Sequence, residues 1–222
     1  MQKLFGHWKT PSPYQHFAKE YHELGTDRVI LNTPDKANAA FMQRRQFRMS
    51  EKHPDYPALA MAVRILGNGP NSRLWTRIRE KEGLSYEVSA SIDASASRDD
   101  ASIDIDASLA PQNLQRLEAA LQEEIQRALA HGFTQQELDD ARRSRQESRL
   151  AYLNDEDNIV SLLSDQLYSG TDMSEWLNDD AKLASLTLDE VNAAFRKWFS
   201  PDKALTIAAG SFTSEGKIAQ KR

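Results

Sequence analysis

Two stretches of strict alternation mark the middle of the chain. Tyr86, Val88, Ala90 and Ile92 recur at every second position, and after Arg98-Asp99-Asp100 so do Ile103, Ile105, Ala107 and Leu109. A period of two predicts a hairpin with one face on a core and the other, carrying Asp93, Asp104 and Asp106, toward water. Upstream, the aliphatic run over 27–31 predicts a strand closed by Asn32-Thr33-Pro34-Asp35, and 40–49 alternates Phe41, Phe47 and Met49 with polar residues as a second, half-buried strand. Between these strands and the hairpin, the apolar stretch 57–66 predicts a helix that ends in the loop Gly67-Asn68-Gly69-Pro70-Asn71. Ser72 is then the expected N-cap of a short helix bearing Leu74, Trp75 and Ile78, stopped by Gly83 in the left-handed conformation.

Beyond the hairpin the period changes to that of helices. Pro111 opens a long one, with Leu114, Leu117, Leu121, Ile125 and Leu129 at helical spacing and Gly132 at its end. Thr134-Gln135-Gln136-Glu137 and Thr187-Leu188-Asp189-Glu190 both fit the capping box, in which threonine and glutamate satisfy free helix amides reciprocally. Each predicts a helix start. Further helices are expected over about 156–168 and 173–183, the second capping box leads to Ala193, Phe195, Trp198 and Phe199, and 204–209 is a last buried strand. The expected class is α+β, an antiparallel β-sheet with α-helices packed on one face.

Organisation follows from the ends. Thr10-Pro11-Ser12-Pro13-Tyr14 disfavours helix, so residues 1–25 read as an interdomain linker and the end of a preceding domain, with Phe5 and Trp8 in the last turn of that earlier element. Residues 26–214 form the domain and 215–222 a frayed tail. The 222 residues suffice for one core without staples, and the 40% apolar and 27% charged content is ordinary for a globular chain. A net charge of -5, with both signs interspersed, offers no basic stripe for nucleic acid. The absence of cysteine removes disulfides, thiol catalysis and thiolate metal ligands together. No apolar run is long enough for a membrane span, and Met1 to Trp8 lacks the apolar core of a secretory signal.

Candidate chemistry is sparse. His16 and His22 are six apart, His7, His53 and His131 are isolated, and neither His-Glu-x-x-His nor His-x-x-Glu-His occurs, so surface histidines are expected and no metal ligand is assigned. No Gly-x-Ser-x-Gly marks a serine nucleophile, and Gly67-Asn68-Gly69 lacks the Gly-Lys-Ser/Thr ending of a phosphate loop. The outward Asp93, Asp104 and Asp106 lack the spacing of a cation loop and read as solvated. Arg79 and Tyr86 differ. A helix end, a glycine turn and a strand start bring a permanently charged fork of donors and a neutral hydroxyl donor to one edge of the sheet, an arrangement suited to a peptide carbonyl that gains charge during hydrolysis. Spacing alone leaves the plainer alternative open, in which Arg79 pairs with Glu80 or Glu82 and Tyr86 is a half-buried strand residue.

In combination, Ser72-Arg73-Leu74, Arg79-Glu80, Gly83-Leu84 and Tyr86, set in this order of elements, resemble the C-terminal half of the pitrilysin/insulinase family of zinc peptidases, which includes mitochondrial processing peptidase and insulin-degrading enzyme. The similarity covers nearly the whole chain, and Leu4-Phe5-Gly6-His7-Trp8-Lys9 resembles the segment that closes the preceding half. The resemblance implies a processing-peptidase-like half whose homologous, zinc-bearing mate supplies the metal, from the same polypeptide or a partner subunit, and whose Arg79 and Tyr86 contact a peptide substrate as catalytic residues. It implies a metalloendopeptidase inactive as this chain alone, with a silent partner or core-type subunit as the alternative. A bacterial periplasmic or cytoplasmic setting fits either case. The Gly-Asn-Gly-Pro loop departs from the glycine-richer loop often seen before Ser-Arg-Leu.

Overall fold

The computed structural model describes residues 2–9, 11–12, 21–34, 36–96 and 98–212. Thr10, Pro13, Tyr14, His16, Asp35 and the tail from Thr213 lie outside the described residues, as do the side chains of Phe5, Glu175 and Trp176. After a four-residue helix α1 (Gln2–Phe5) come β1 (Asp27–Asn32), β2 (Ala39–Phe47), α2 (Tyr56–Gly67), a π-helix (Trp75–Lys81), β3 (Ser85–Ala94) and β4 (Ala101–Leu109). A short 3-10 turn (Pro111–Asn113) leads into α3 (Leu114–His131), followed by α4 (Gln135–Leu153), α5 (Glu156–Ser169), α6 (Met173–Ser185), α7 (Leu188–Trp198) and β5 (Leu205–Gly210). Apart from α1, the π-helix and the 3-10 turn, the elements follow the order expected from periodicity, and the class is α+β.

Among the described residues, one sheet of order β1-β5-β2-β4-β3 holds every strand. Its pairs are antiparallel except β1 with β5, where Asp27 faces Leu205 and Asn32 faces Gly210 in parallel register. Pairing of Phe41 with Ala107 and of Val88 with Ala107 aligns one apolar row across β2, β4 and β3. That face is buried under Leu59 and Leu66 of α2, Leu117 and Ile125 of α3, and Val191 and Phe195 of α7. The other face stays open. It bears Arg44 and Asp104, joined across strands by two hydrogen bonds of 2.6 and 2.9 Å, with Ser102 Oγ donating to the same carboxylate at 3.1 Å. Asp104 is therefore buried by its partner rather than solvated. Burial, with the charge of Asp104 beside it, pushes the Asp106 carboxyl above its ordinary value.

One close approach fixes the spacing of α2 on the sheet. At Gly67 a β-carbon would lie 2.4 Å from Ala90 Cβ, so glycine lets the end of α2 sit directly on β3. Within the sheet face, Arg45 is 4% exposed and pairs with no carboxylate among the described residues. Burial pushes it down to about 10, while Ser200 O and Gln43 Oε1 accept from it at 3.1 and 2.9 Å and its guanidinium lies 4.4 Å from the Phe199 ring. Both capping boxes form as expected, with Thr134 and Thr187 accepting from Glu137 and Glu190 amides at 3.3 Å. Among the described residues no helix is long and apolar enough to cross a membrane.

Gly67→Ala is expected to lower unfolding stability by about 2 kcal/mol through overpacking, against no more than a few tenths for a change at the open position Gly25. Urea denaturation of both variants measures the contrast; equal effects would separate the α2–β3 contact from stability.

Candidate functional site

The segment expected to be an ordinary short helix is wound as a π-helix, in which each turn closes over one extra residue. Ser72 does not cap it by accepting an amide; its hydroxyl donates to Gly69 O at 2.7 Å and tightens the preceding loop. Leu74 and Ile78 are fully buried and anchor the inner side. Bonding from i to i+5 also brings residues five apart to the same side, and Arg77 reaches Glu82 in this way while its NH2 donates to Glu123 at 2.7 Å. Glu82 is thereby engaged by Arg77, not by Arg79. The plainer reading of Arg79 as an ion pair with Glu80 or Glu82 is not realised among the described residues; its guanidinium instead lies 4.1 Å from the ring of Trp75, four positions earlier. That stack orients an exposed cation without neutralising it.

The turn after the π-helix is set by backbone. Gly83 has φ +60 with open space around it, so conformation rather than crowding selects glycine there. Leu84 is buried, its amide donates to Ile78 O at 2.9 Å, and Asn113 Nδ2 donates to Leu84 O at 3.1 Å from the start of α3. Two anchors, Ile78 and Leu84, therefore pin the turn on either side.

Tyr86 departs from the alternation that placed it with Val88. The register runs from Ser85 opposite Leu109 to Glu87 opposite Ser108, so β3 carries one residue more than β4 at this point. The bulge gives the inward position to Ser85, which is buried, and leaves Tyr86 68% exposed on the outermost strand. Ser85 stitches the irregularity: its hydroxyl donates to Ser108 O at 2.7 Å and accepts from the Glu87 amide at 3.2 Å. Arg79 and Tyr86 thus both project from the ends of elements joined by one three-residue turn, and both reach solvent.

Arg73, the middle residue of Ser-Arg-Leu, serves the frame. Its Nε and NH2 donate to the two Glu137 carboxylate oxygens at 2.5 and 2.9 Å, NH2 also reaches Gly132 O at 2.8 Å, and the guanidinium lies 4.8 Å from the Phe133 ring. Burial raises the Glu137 carboxyl, but hydrogen bonds from Arg73 and Thr134 and the Arg73 charge outweigh it and hold it below the ordinary range. Sequence reasoning missed Trp75, Ser85, Asn113 and the role of Arg73. Only Trp75 had a readable signal, its i,i+4 relation to Arg79. Among the described residues no cluster of three or more histidine, aspartate or glutamate side chains is arranged to hold a metal; His53 instead accepts from the Asp55 amide at 3.1 Å and packs edge-on to Trp198 at 5.1 Å. The described residues do not fit a zinc site.

The fold is shared with solved structures of peptidase domains. A peptidase M16 inactive domain from Pseudomonas fluorescens is 24% identical with a TM-score of 0.77, over 93% of this chain and 48% of its own. A protease from Helicobacter pylori is 16% identical with a TM-score of 0.78, over 94% of this chain and 50% of its own, so the chain spans about half the length of each of these two. The inactive peptidase domain of a candidate zinc protease from Bordetella parapertussis, 18% identical with a TM-score of 0.63, covers 77% of this chain and 91% of its own. No curated protein matches. The class defined by this fold is an α+β domain of one sheet with helices packed on one face. A family model described as peptidase M16 inactive domain matches residues 1–145, and the chain belongs to that family.

Because the folded carboxyl of Glu137 titrates below the unfolded one, its pairing contributes fully above the ordinary carboxylate range and fades as pH falls through the folded value. Glu137→Gln keeps a capping-box residue but removes the ionic partner of Arg73, and should cost about 2 kcal/mol at neutral pH. Denaturation from pH 7 down to pH 2 should bring the two stability curves together; a gap independent of pH would remove the ionic pairing from the account.

Proposed function

We propose that this chain is the substrate-binding, chamber-closing half of a zinc-dependent metalloendopeptidase, with zinc held by a homologous half. The observation that carries the reading is the pairing of an uncompensated, aromatic-stacked cation at Arg79 with a phenol pushed outward by the bulge at Tyr86, on the two sides of one turn at the outer edge of the sheet. An outer strand has unpaired backbone groups along its free side, so an extended peptide can lie against β3 and take main-chain hydrogen bonds from it. On this reading Arg79 and Tyr86 donate toward the carbonyl oxygen of the peptide as it becomes negative. The guanidinium keeps its proton throughout, and the hydroxyl supplies a donor without adding charge. Zinc, when bound in the mate, polarises water and carbonyl. Residues 26–214 would constitute the half itself, with 1–25 as the lead-in from a preceding domain and 215–222 as a tail.

The family supports a peptidase context, and the zinc protease named among the structural relatives supports the metal. The mate is either part of the same polypeptide or a partner subunit, and the substrate is a peptide small or unfolded enough to enter between the halves.

Arg79→Ala and Tyr86→Phe, assayed with the zinc-bearing half present, should each lower kcat/KM by roughly tenfold to a thousandfold, mostly in kcat. Steady-state kinetics on a quenched fluorescent peptide measures this. Wild-type kinetics in both variants would reject the assignment and favour a silent, assembly-type subunit.

A further inference from the structure

Further along the outer strand, a cavity of about 560 Å³ opens between α2, α4 and α5, with Ala90 and Ile92 of β3 in its wall. Three guanidinium groups stand in that wall, Arg64 from α2 and Arg145 and Arg149 from α4. Arg64 is held only by hydroxyls, donating through NH2 to Ser144 Oγ and Ser148 Oγ, each at 3.1 Å. Arg145 makes no hydrogen bond or ion pair among the described residues, and the Nε of both arginines is buried without a partner. Burial, and after it the neighbouring charge of Arg145, hold Arg64 below its ordinary value. Like charges set together in a partly buried wall are unfavourable unless something negative lies between them.

Among the described residues no carboxylate supplies that charge. Glu51, Asp165, Asp172 and Asp179 also line the cavity, but none is within ion-pair distance of Arg64 or Arg145; Asp179 pairs with Lys182 at 3.2 Å, and Asp172 accepts from the Ser174 amide at 2.7 Å. Arg149, next along α4, is bound to Asp180 at 2.9 Å. The cavity therefore has two cations with no carboxylate partner among the described residues, beside the paired Arg149 and four carboxylates. Such a surround accepts one negative charge placed against the guanidinium pair and repels a second. Met61, Val63 and Leu162 give it an apolar floor for a methylene stem.

We propose that this cavity receives a single carboxylate of the peptide laid along β3, bound by Arg64 and Arg145. The inference rests on the reading of β3 as the peptide track and gives that track a specificity. Ala90 and Ile92 lie four and six positions beyond Tyr86, roughly 13–20 Å at the rise of an extended strand, so the carboxylate belongs to a residue about four to six positions from the part of the peptide that meets Tyr86. A planar carboxylate matches the donor fork of a guanidinium and can bridge two of them. The carboxylate is either an acidic side chain or the free terminus of the peptide.

Three dye-labelled octapeptides separate the sources: one with a single Glu and an amidated end, its Gln twin with an amidated end, and the Gln twin with a free carboxyl terminus. Fluorescence anisotropy with the full chain should show the first or the third binding about tenfold more tightly than the second. Tighter binding of the first identifies a side chain, and of the third, the terminus. Arg145→Gln should erase the preference and leave the thermal midpoint equal or higher, since it removes a cation with no partner. Equal binding of all three peptides overturns the proposal, and so does a preference that survives in both Arg145→Gln and Arg64→Gln. Binding is read without turnover, so loss of activity in the Arg79 and Tyr86 variants alongside unselective binding would sink only the carboxylate site.

Discussion

The Arg73 guanidinium is the joint on which the architecture turns. It is 86% removed from solvent at its side chain, being 14% exposed, and its donors are divided between the Glu137 carboxylate and the Gly132 carbonyl. Glu137 belongs at the same time to the first turn of α4, where it closes the capping box with Thr134. One contact thus ties the start of the π-helix to the end of α3 and the start of α4. The position of the segment that presents Arg79 depends on this joint, because Leu74 and Ile78 set its depth in the core but a hydrophobic contact does not set its direction. A charge-assisted, two-pronged hydrogen bond does.

Much of the fold was legible because it depends on local periodicity. Alternation at Ile103, Ile105, Ala107 and Leu109 and helical spacing at Leu114, Leu117, Leu121 and Ile125 each reflect one buried face, and the threonine-to-glutamate spacing at 134–137 and 187–190 is a closed local device. What was not legible depends on partners far away in sequence. The bulge at Tyr86 exists only relative to Ser108 and Leu109, twenty and more residues on, and alternation of Tyr86 with Val88 gave the opposite impression of its facing. The π-helix is similar: seven residues from Trp75 to Lys81 carry no signature that separates an extra-wide turn from an ordinary one. Arg79 and Tyr86 stood out as two donors beside one turn, but that spacing favoured an ion pair until the resemblance was added; the capture of Glu82 by Arg77 goes against the pair with Glu82.

Two irregularities, one in a helix and one in a strand, flank a single turn, and neither is isolated from the core. The π-helix is pinned by Ile78, the strand by Leu84 and Ser85, and the turn between them by Asn113 from α3. Regular elements bury the same faces with less disturbance, so the local departures carry a cost that the surrounding contacts offset. The return is directional: side chains that ideal geometry would turn inward or pair off are held at the rim of the sheet. The cavity farther along β3 extends the same rim, and its guanidinium groups stand on rigid helices rather than on loops.

The bulge has a second consequence, for solubility. An uninterrupted outer strand is a template on which copies of a protein can stack edge to edge and aggregate. In β3 the extra residue at Tyr86 breaks the even spacing of amide and carbonyl groups near the start of the strand, and Glu87 and Asp93 place exposed carboxylates along it. A long, flat strand from a second copy would lose its register and meet like charge. A short flexible segment, which can kink to follow the offset, meets a smaller obstacle, so the same irregularity that aims a side chain also screens what may attach to this border.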